Sequence, residues 1–214
     1  MRRSVAMDIT AGVTAAATAL LVAACASAPA DAGGPWRLAY NGYGHVSSST
    51  RGGVPLITVQ PARAESPAQT HAALMLSRRT WGDLVAEIKF RTNRQLRQPH
   101  PNPWEVGWIL WHYINEQRFY YITLKPNGWE LGKTDPGYPD GQRFLATATH
   151  PVFPPGLWYT VTVRQRGENI EVDVDGRRLV RFTDTEDPYR SGQVGLYSED
   201  ASVTFQPVGI GPAS

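Results

Sequence analysis

The sequence predicts an all-β chain folded as a single sandwich, and three observations carry that prediction. Short alternating runs of apolar and polar residues recur from Trp36 to Val208, with Gly, Pro, Asn and Asp between them, the spacing of a sandwich or barrel. Two of the breaks are Asn127-Gly128 and Asp175-Gly176, dipeptides that tolerate the positive φ angles of a tight hairpin turn. No window repeats apolar residues at a 3.6-residue period between two caps, so helices should be few and short. Composition agrees, since the 214 residues include seven Trp, nine Tyr, twenty Gly and seventeen Pro.

The chain opens on Met1-Arg2-Arg3, followed by the apolar, Ala-rich stretch Ile9 to Ala24, too short and too weakly hydrophobic for a membrane span. It ends Leu21-Val22-Ala23-Ala24-Cys25, which resembles a bacterial lipobox. Residues 1–24 then read as a lipoprotein signal peptide, with Cys25 the lipidated first residue of the mature chain. The alternative is an ordinary secretory signal cut near Ala28 or Ala30. Cys25 is the only cysteine, so the mature chain has no disulfide and must be stabilised by its core. Residues 25–34 read as a flexible tether. The expected location is the cell envelope, lipid-anchored and extracytoplasmic.

Residues 35–214 show no linker, low-complexity tract or fixed-period repeat, so they read as one domain. The predicted strands, in order, are Trp36–Tyr40, Leu56–Gln60, Ala72–Ser77, Leu84–Arg91, Gly107–Tyr113, Phe119–Lys125, Trp129–Thr134, Tyr159–Gln165, Ile170–Val174, Arg178–Phe182, Gln193–Tyr197 and Val203–Val208. The Pro-rich loops Arg97–Pro103 and Pro136–Gly141 are expected at one rim. With 21 Lys and Arg against 19 Asp and Glu, and no basic run, the chain carries no footprint for nucleic acid.

The central hairpins suggest a site. With Asn127-Gly128 as a two-residue turn, Lys125 and Glu130 share a face with Tyr121, Thr123 and Thr134, while Ile122, Leu124 and Leu131 face the core. Pairing Tyr113 with Phe119 puts Trp111 opposite Tyr121 and turns Trp108 and Leu110 inward. One face then carries Trp111, Tyr113, Phe119, Tyr121, Thr123, Lys125 and Glu130. Rings can stack on the apolar faces of pyranoses while polar neighbours take the hydroxyls, so this face is the expected floor for an oligo- or polysaccharide.

The C-terminal third runs Trp158-Tyr-Thr-Val-Thr-Val163, Ile170-Glu-Val-Asp-Val-Asp-Gly176, Leu179-Val-Arg-Phe-Thr-Asp184, Gly192-Gln-Val-Gly-Leu-Tyr197 and Val203-Thr-Phe205. This resembles the end of a concanavalin A-like lectin/glucanase jelly roll, and is most similar to the laminin-G-like and 3-keto-disaccharide hydrolase type domains of secreted bacterial proteins. Gly107-Trp-Ile-Leu-Trp111 and Phe119-Tyr-Tyr-Ile-Thr-Leu-Lys125 fit the same pattern, which spans roughly Trp81 to Ile210. The resemblance implies a jelly-roll β-sandwich. It leaves the activity open, because the superfamily holds lectins, glycosidases, lyases and adhesion modules.

Glu171-Val-Asp173-Val-Asp175 resembles the catalytic strand of laminarinase-type glycosidases, but lacks its last Glu, and Asp175 belongs to a turn. A solvated strand face explains these acids. Glu130, on the ring-rich face beside Lys125, is the single catalytic candidate for a glycoside hydrolase or polysaccharide lyase; the alternative is a cross-strand ion pair. Glu105, Glu116, Asp135 and Asp140 are candidate second carboxylates. His112, of a type lyases use as base, reads as a buried, satisfied imidazole. Zinc motifs are absent. The superfamily implies a structural calcium, for which Asp184, Asp187 and Asp200, with Glu186 and Glu199, supply oxygen donors; acid-rich turns are the alternative. The expected function is saccharide binding by a surface lipoprotein, with catalysis on the same face or a non-catalytic adhesion role as the alternatives.

Overall fold

A computed structural model describes residues 34–213; the expected signal peptide, Cys25 and most of the expected tether lie outside the described residues. The strands are β1 (Trp36–Tyr40), β2 (His45–Arg51), β3 (Val54–Gln60), β4 (Ala72–Trp81), β5 (Leu84–Gln95), β6 (Gly107–Asn115) and β7 (Arg118–Lys125). They continue with β8 (Gly128–Thr134), β9 (Gln142–Ala148), β10 (Tyr159–Arg166), β11 (Asn169–Val174), β12 (Arg177–Thr183), β13 (Gly192–Glu199) and β14 (Ala201–Pro212). Two antiparallel seven-stranded sheets result, ordered β1-β4-β13-β6-β7-β8-β9 and β12-β11-β10-β5-β14-β3-β2. This is the all-β jelly-roll sandwich of the sequence reading.

All twelve expected strands are present, all but β1 lengthened at one or both ends, and two more, β2 and β9, have no counterpart among them. β2 reads His-Val-Ser-Ser-Ser-Thr-Arg and is almost wholly exposed. It is an edge strand with no apolar face to give an alternation signal. β9 is the opposite edge of the first sheet, and a register shift against β8 interrupts its alternation. The two Pro-rich loops lie at opposite ends of this sheet and not at one rim. One precedes the start of β6 and the other follows the end of β8, strands that run parallel two places apart.

The inward faces follow period-2 alternation. Ile88, Val161, Val163, Val172, Val203 and Phe205 from the second sheet meet Ile109, Trp111, Tyr120, Ile122, Leu131 and Leu196 from the first. The Asp175-Gly176 hairpin forms as expected, with Val174 opposite Arg177 and positive φ at both turn residues. The other turn sits one residue earlier than expected. Lys125 pairs with Gly128 around Pro126-Asn127, so Thr123, not Lys125, lies opposite Glu130. A change of two in the pairing preserves the faces.

The face assignment on β6 is corrected. His112 takes φ 47° and the β6–β7 register shifts between Trp111 and Asn115. Against β13, the step from Leu110 to Tyr113 is one residue longer than that from Gly195 to Gln193, so the bulge adds a residue to β6 and everything before it changes face. Trp111 is therefore sealed between the sheets, fully buried, with its Nε1 donating to Gln165 Oε1 at 2.6 Å. Trp108 and Leu110 turn outward instead. His112 is fully buried, with Nδ1 2.6 Å from the Tyr189 carbonyl and Nε2 2.8 Å from that of Gly82. Burial outweighs these contacts and holds its pKa below the usual imidazole value.

Candidate functional site

The two sheets differ on their outer faces. That of the second sheet is a ladder of ion pairs. Arg178 contacts Glu171 and Asp173, Arg181 contacts Glu171, and Arg164 contacts Asp173. The Glu171–Asp173 acids are thus a solvated, cation-paired face, as the plainer sequence reading held. The outer face of the first sheet instead gathers a second apolar cluster, made of Leu74, Leu76, Val106, Trp108, Leu110, Tyr121 and Tyr197. Tyr40, Trp104, Tyr113 and Phe119 pack onto it, partly exposed.

The register arranges this face in rows. Leu74, Tyr197, Trp108, Thr123 and Glu130 lie opposite one another across β4, β13, β6, β7 and β8. The next row runs Leu76, Gly195, Leu110, Tyr121, Gly132 and Phe144. Trp108, itself buried, packs at a tilt of 34° on Tyr121 with 4.7 Å between centroids and meets Tyr197 edge-on at 5.6 Å. Tyr113 and Phe119 stack at 5.6 Å further along.

A polar chain crosses the β7–β9 side. Tyr121 OH donates to Glu130 Oε1 at 2.8 Å, Lys125 Nζ donates to Glu130 Oε2 at 2.7 Å, and Gln142 Nε2 donates to Tyr121 OH at 2.7 Å. Gly132 makes this geometry possible, because a Cβ there would stand 2.3 Å from Tyr121 Oη. Burial, then the Glu130 charge, raises the Tyr121 pKa well above the ordinary phenol value, so its hydroxyl stays a donor. Thr123 is fully buried beside Glu130 and its Oγ1 has no partner among the described residues. At the edge, Phe144 presents a ring that is 54 % exposed.

The opposite side carries a second carboxylate. Glu199, two residues past Tyr197 on the same face of β13, accepts a hydrogen bond from Tyr197 OH at 2.6 Å. Burial pushes its carboxyl up to about 7, helped by the charges of Asp200, Glu105 and Glu130 and opposed by the Tyr197 hydrogen bond.

The expected residues Tyr121, Thr123, Lys125 and Glu130 are brought together, Tyr113 and Phe119 lie on the same face, and Trp111 does not. Trp108, Tyr197, Gln142, Phe144 and Glu199 were not placed on it. The alternation Tyr197-x-Glu199 could have identified Glu199; the bulge hid Trp108, and Gln142 and Phe144 sit on the unrecognised β9.

The acids proposed for calcium do not converge. Asp184 accepts from Lys133 Nζ at 2.8 Å and from Tyr120 OH at 2.5 Å. Asp187 is exposed beside Arg118 at 3.2 Å, and Asp200 pairs with Arg97 at 2.8 Å. Among the described residues no three His, Cys, Asp or Glu side chains are grouped to hold a metal. The buried Lys133 ammonium also donates to the carbonyls of Glu186 and Asp187. A cavity of about 420 Å³ beside His45, Gln60, Arg63 and Arg94 shares no residue with the outer-face network.

Residues 33–210 match the family model described as a 3-keto-alpha-glucoside-1,2-lyase-like domain. No curated relative matches the chain. Among solved structures, the carbohydrate-binding module CBM66 from Bacillus subtilis aligns with TM-score 0.59 and 14 % identity, over 82 % of this chain and 94 % of that one. A glycosyl hydrolase homologue from Parabacteroides distasonis gives 0.51 and 14 %, over 84 % and 89 %. A β-glucanase from Bacillus licheniformis gives 0.51 and 11 %, over 80 % and 88 %. At these identities the structural likeness speaks for the fold.

Proposed function

Because the chain belongs to the 3-keto-alpha-glucoside-1,2-lyase-like domain family, we propose that the outer face of the first sheet holds a glucoside-type saccharide. The observation that carries this is the Gln142–Tyr121–Glu130–Lys125 chain of hydrogen bonds beside Trp108 and the unpartnered Thr123 hydroxyl. Fixed donors and acceptors next to rings suit a polyol with apolar ring faces, whereas Glu171 and Asp173 on the second sheet are already paired with Arg164, Arg178 and Arg181. Phe144, exposed at the sheet edge, extends the face.

Glu130 has both oxygens engaged. Its role in this reading is to fix the Tyr121 hydroxyl and the Lys125 ammonium, which then meet sugar oxygens. The family name supports a 3-keto-glucoside as the ligand. Its C3 carbonyl acidifies the C2 proton, and loss of that proton expels the C1 oxygen to leave a 1,2-double bond. Cys25 supplies the lipid anchor that keeps the domain on the cell envelope; blocking lipidation with Cys25→Ala should release it into the soluble fraction.

The test is equilibrium binding of a 3-keto-glucoside and its parent glucoside to the purified domain. Binding is expected for the wild type, weakened roughly tenfold or more in Glu130→Gln, which leaves Lys125 and Tyr121 without their anion. A wild-type protein that binds neither compound overturns the reading.

A further inference from the structure

We propose that the outer face of the second sheet carries a separate site for an acidic saccharide, one whose units bear carboxylates, centred on the cavity beside Arg63 and Arg94. The proposal does not rest on the first-sheet site. The ion pairs of Glu171 and Asp173 cover only the β10–β12 part of this outer face. Along β5, β14, β3 and β2 the outward residues are of another kind. Arg94 on β5 pairs with Ser202 on β14, and His45 on β2 pairs with Gln60 on β3. Ser202 and Gln60 alternate with the core residues Val203 and Val59, so this row faces outward. The chain passes from Gln60 to Arg63, and with Tyr43 and Gln98 these residues wall the cavity of about 420 Å³.

The walls hold cations without anions. Among the described residues Arg94 has no hydrogen-bond or ion-pair partner, and Arg63 has one hydrogen bond, at 3.5 Å, to the Gln98 carbonyl. Glu65, two residues past Arg63, is within ion-pair distance of neither. Arg97 is the contrast. Glu105, Asp200 and the carbonyls of Ser66 and Gln69 occupy it, and that brace holds the loop after β3 against the loop after β5. The wall is thereby fixed while its two outer guanidiniums remain open to a ligand. An arginine fork takes a carboxylate through two parallel hydrogen bonds, and the Gln60 and Gln98 amides and the His45 ring at the same cavity can meet hydroxyls.

Rings stand at both ends of this face. Tyr43, at the cavity, is 61 % exposed and takes φ 60°, with its ring 5.3 Å from that of His71. A bulky residue persists in the left-handed region only where its surroundings hold it. Here Asn41 Nδ2 donates to the Gly44 carbonyl at 3.0 Å and Ala62 N donates to that of Gly42 at 2.8 Å. At the other end Arg91 and Lys89 lie over Trp158, 5.1 and 5.6 Å from its ring centre. Neither is within ion-pair distance of an acid among the described residues, Glu87 on the same strand included. A hydrogen-bonded rail runs between the ends, from Arg91 through Asn93 and Thr204 to Thr58. From Lys89 to Arg94 the strand rises about 16 Å, a track for several sugar units. Its intervening groups are amide and hydroxyl, which match sugar hydroxyls and not the acyl region of a bilayer.

The experiment titrates the purified protein with oligouronates of galacturonate, glucuronate and mannuronate, with their carboxyl-reduced counterparts, and with phosphatidylglycerol vesicles. At least one oligouronate should bind, more weakly as salt is added, and its carboxyl-reduced form at least tenfold more weakly. Arg63→Ala and Arg94→Ala should each weaken oligouronate binding about tenfold, leave binding of a neutral glucoside unchanged, and, being exposed, move the thermal midpoint by no more than about two degrees. Absence of binding to all three oligouronates, equal binding of the carboxyl-reduced forms, or indifference to both arginine variants overturns the proposal. Vesicle binding that needs the same arginines, without oligouronate binding, reassigns the face to a membrane surface and overturns it too. A failure of the neutral glucoside alone strikes the first-sheet site and leaves this one standing.

Discussion

One missing Cβ decides where the Tyr121 hydroxyl ends. Its ring lies over Gly132, and an alanine there would force it away from Glu130 and Gln142. Gly132→Ala should cost about 1–3 kcal/mol in thermal or urea unfolding, as overpacking does, and should also abolish saccharide binding. Glu199 makes a prediction of a different kind. Its folded pKa lies above the unfolded value of 4.5, at about 7, so the folded state binds the extra proton in that interval. The stability it contributes is complete below pH 4.5 and is lost as pH rises through 7. Glu199→Gln should therefore melt near wild type at pH 5 and above it at pH 8. A difference that shrinks on the same path would contradict the assignment. His112 acts with the opposite sign: its lowered pKa removes stability as pH falls below 6.5.

The bulge at His112 shows which elements sequence could locate and which it could not. Twelve strands were legible because their alternation is long enough to mark an element, and the Asp175-Gly176 turn because its backbone needs are met by those residues alone. A bulge leaves no comparable mark. Its φ of 47° at His112 is held by carbonyls of Tyr189 and Gly82, far away in the chain. Everything on β6 before it was therefore assigned to the wrong face, although β7 and β8, which have no bulge between them, were assigned correctly. The correction exchanges two expected phenotypes. Trp111→Ala should destabilise by about 3–5 kcal/mol, a buried aromatic truncation, with any loss of binding following from unfolding. Phe144→Ala, at an exposed edge position, should change stability by less than about 0.5 kcal/mol while weakening saccharide binding.

Across the whole molecule, the sandwich has one face for solvent and another gathered around rings. That asymmetry was half visible: the Glu171–Asp173 acids read as a solvated face, but their arginine partners on β10 and β12 emerge only from tertiary pairing. Arg177, Arg178 and Arg181 also place charge along the edge strand β12, which discourages pairing with other chains. The seam between the sheets is closed by Lys133, buried under Asp184, the Glu186 and Asp187 carbonyls, and the ring of Tyr189 at 5.1 Å. Lys133→Met should cost about 3–5 kcal/mol, since Asp184 would be left charged, buried and uncompensated; a midpoint shift of only a degree or two in differential scanning calorimetry would refute that. An ammonium on its own four-carbon arm never dissociates. The seam it closes is therefore indifferent to dilution, to chelators and to the ionic composition of the surrounding medium.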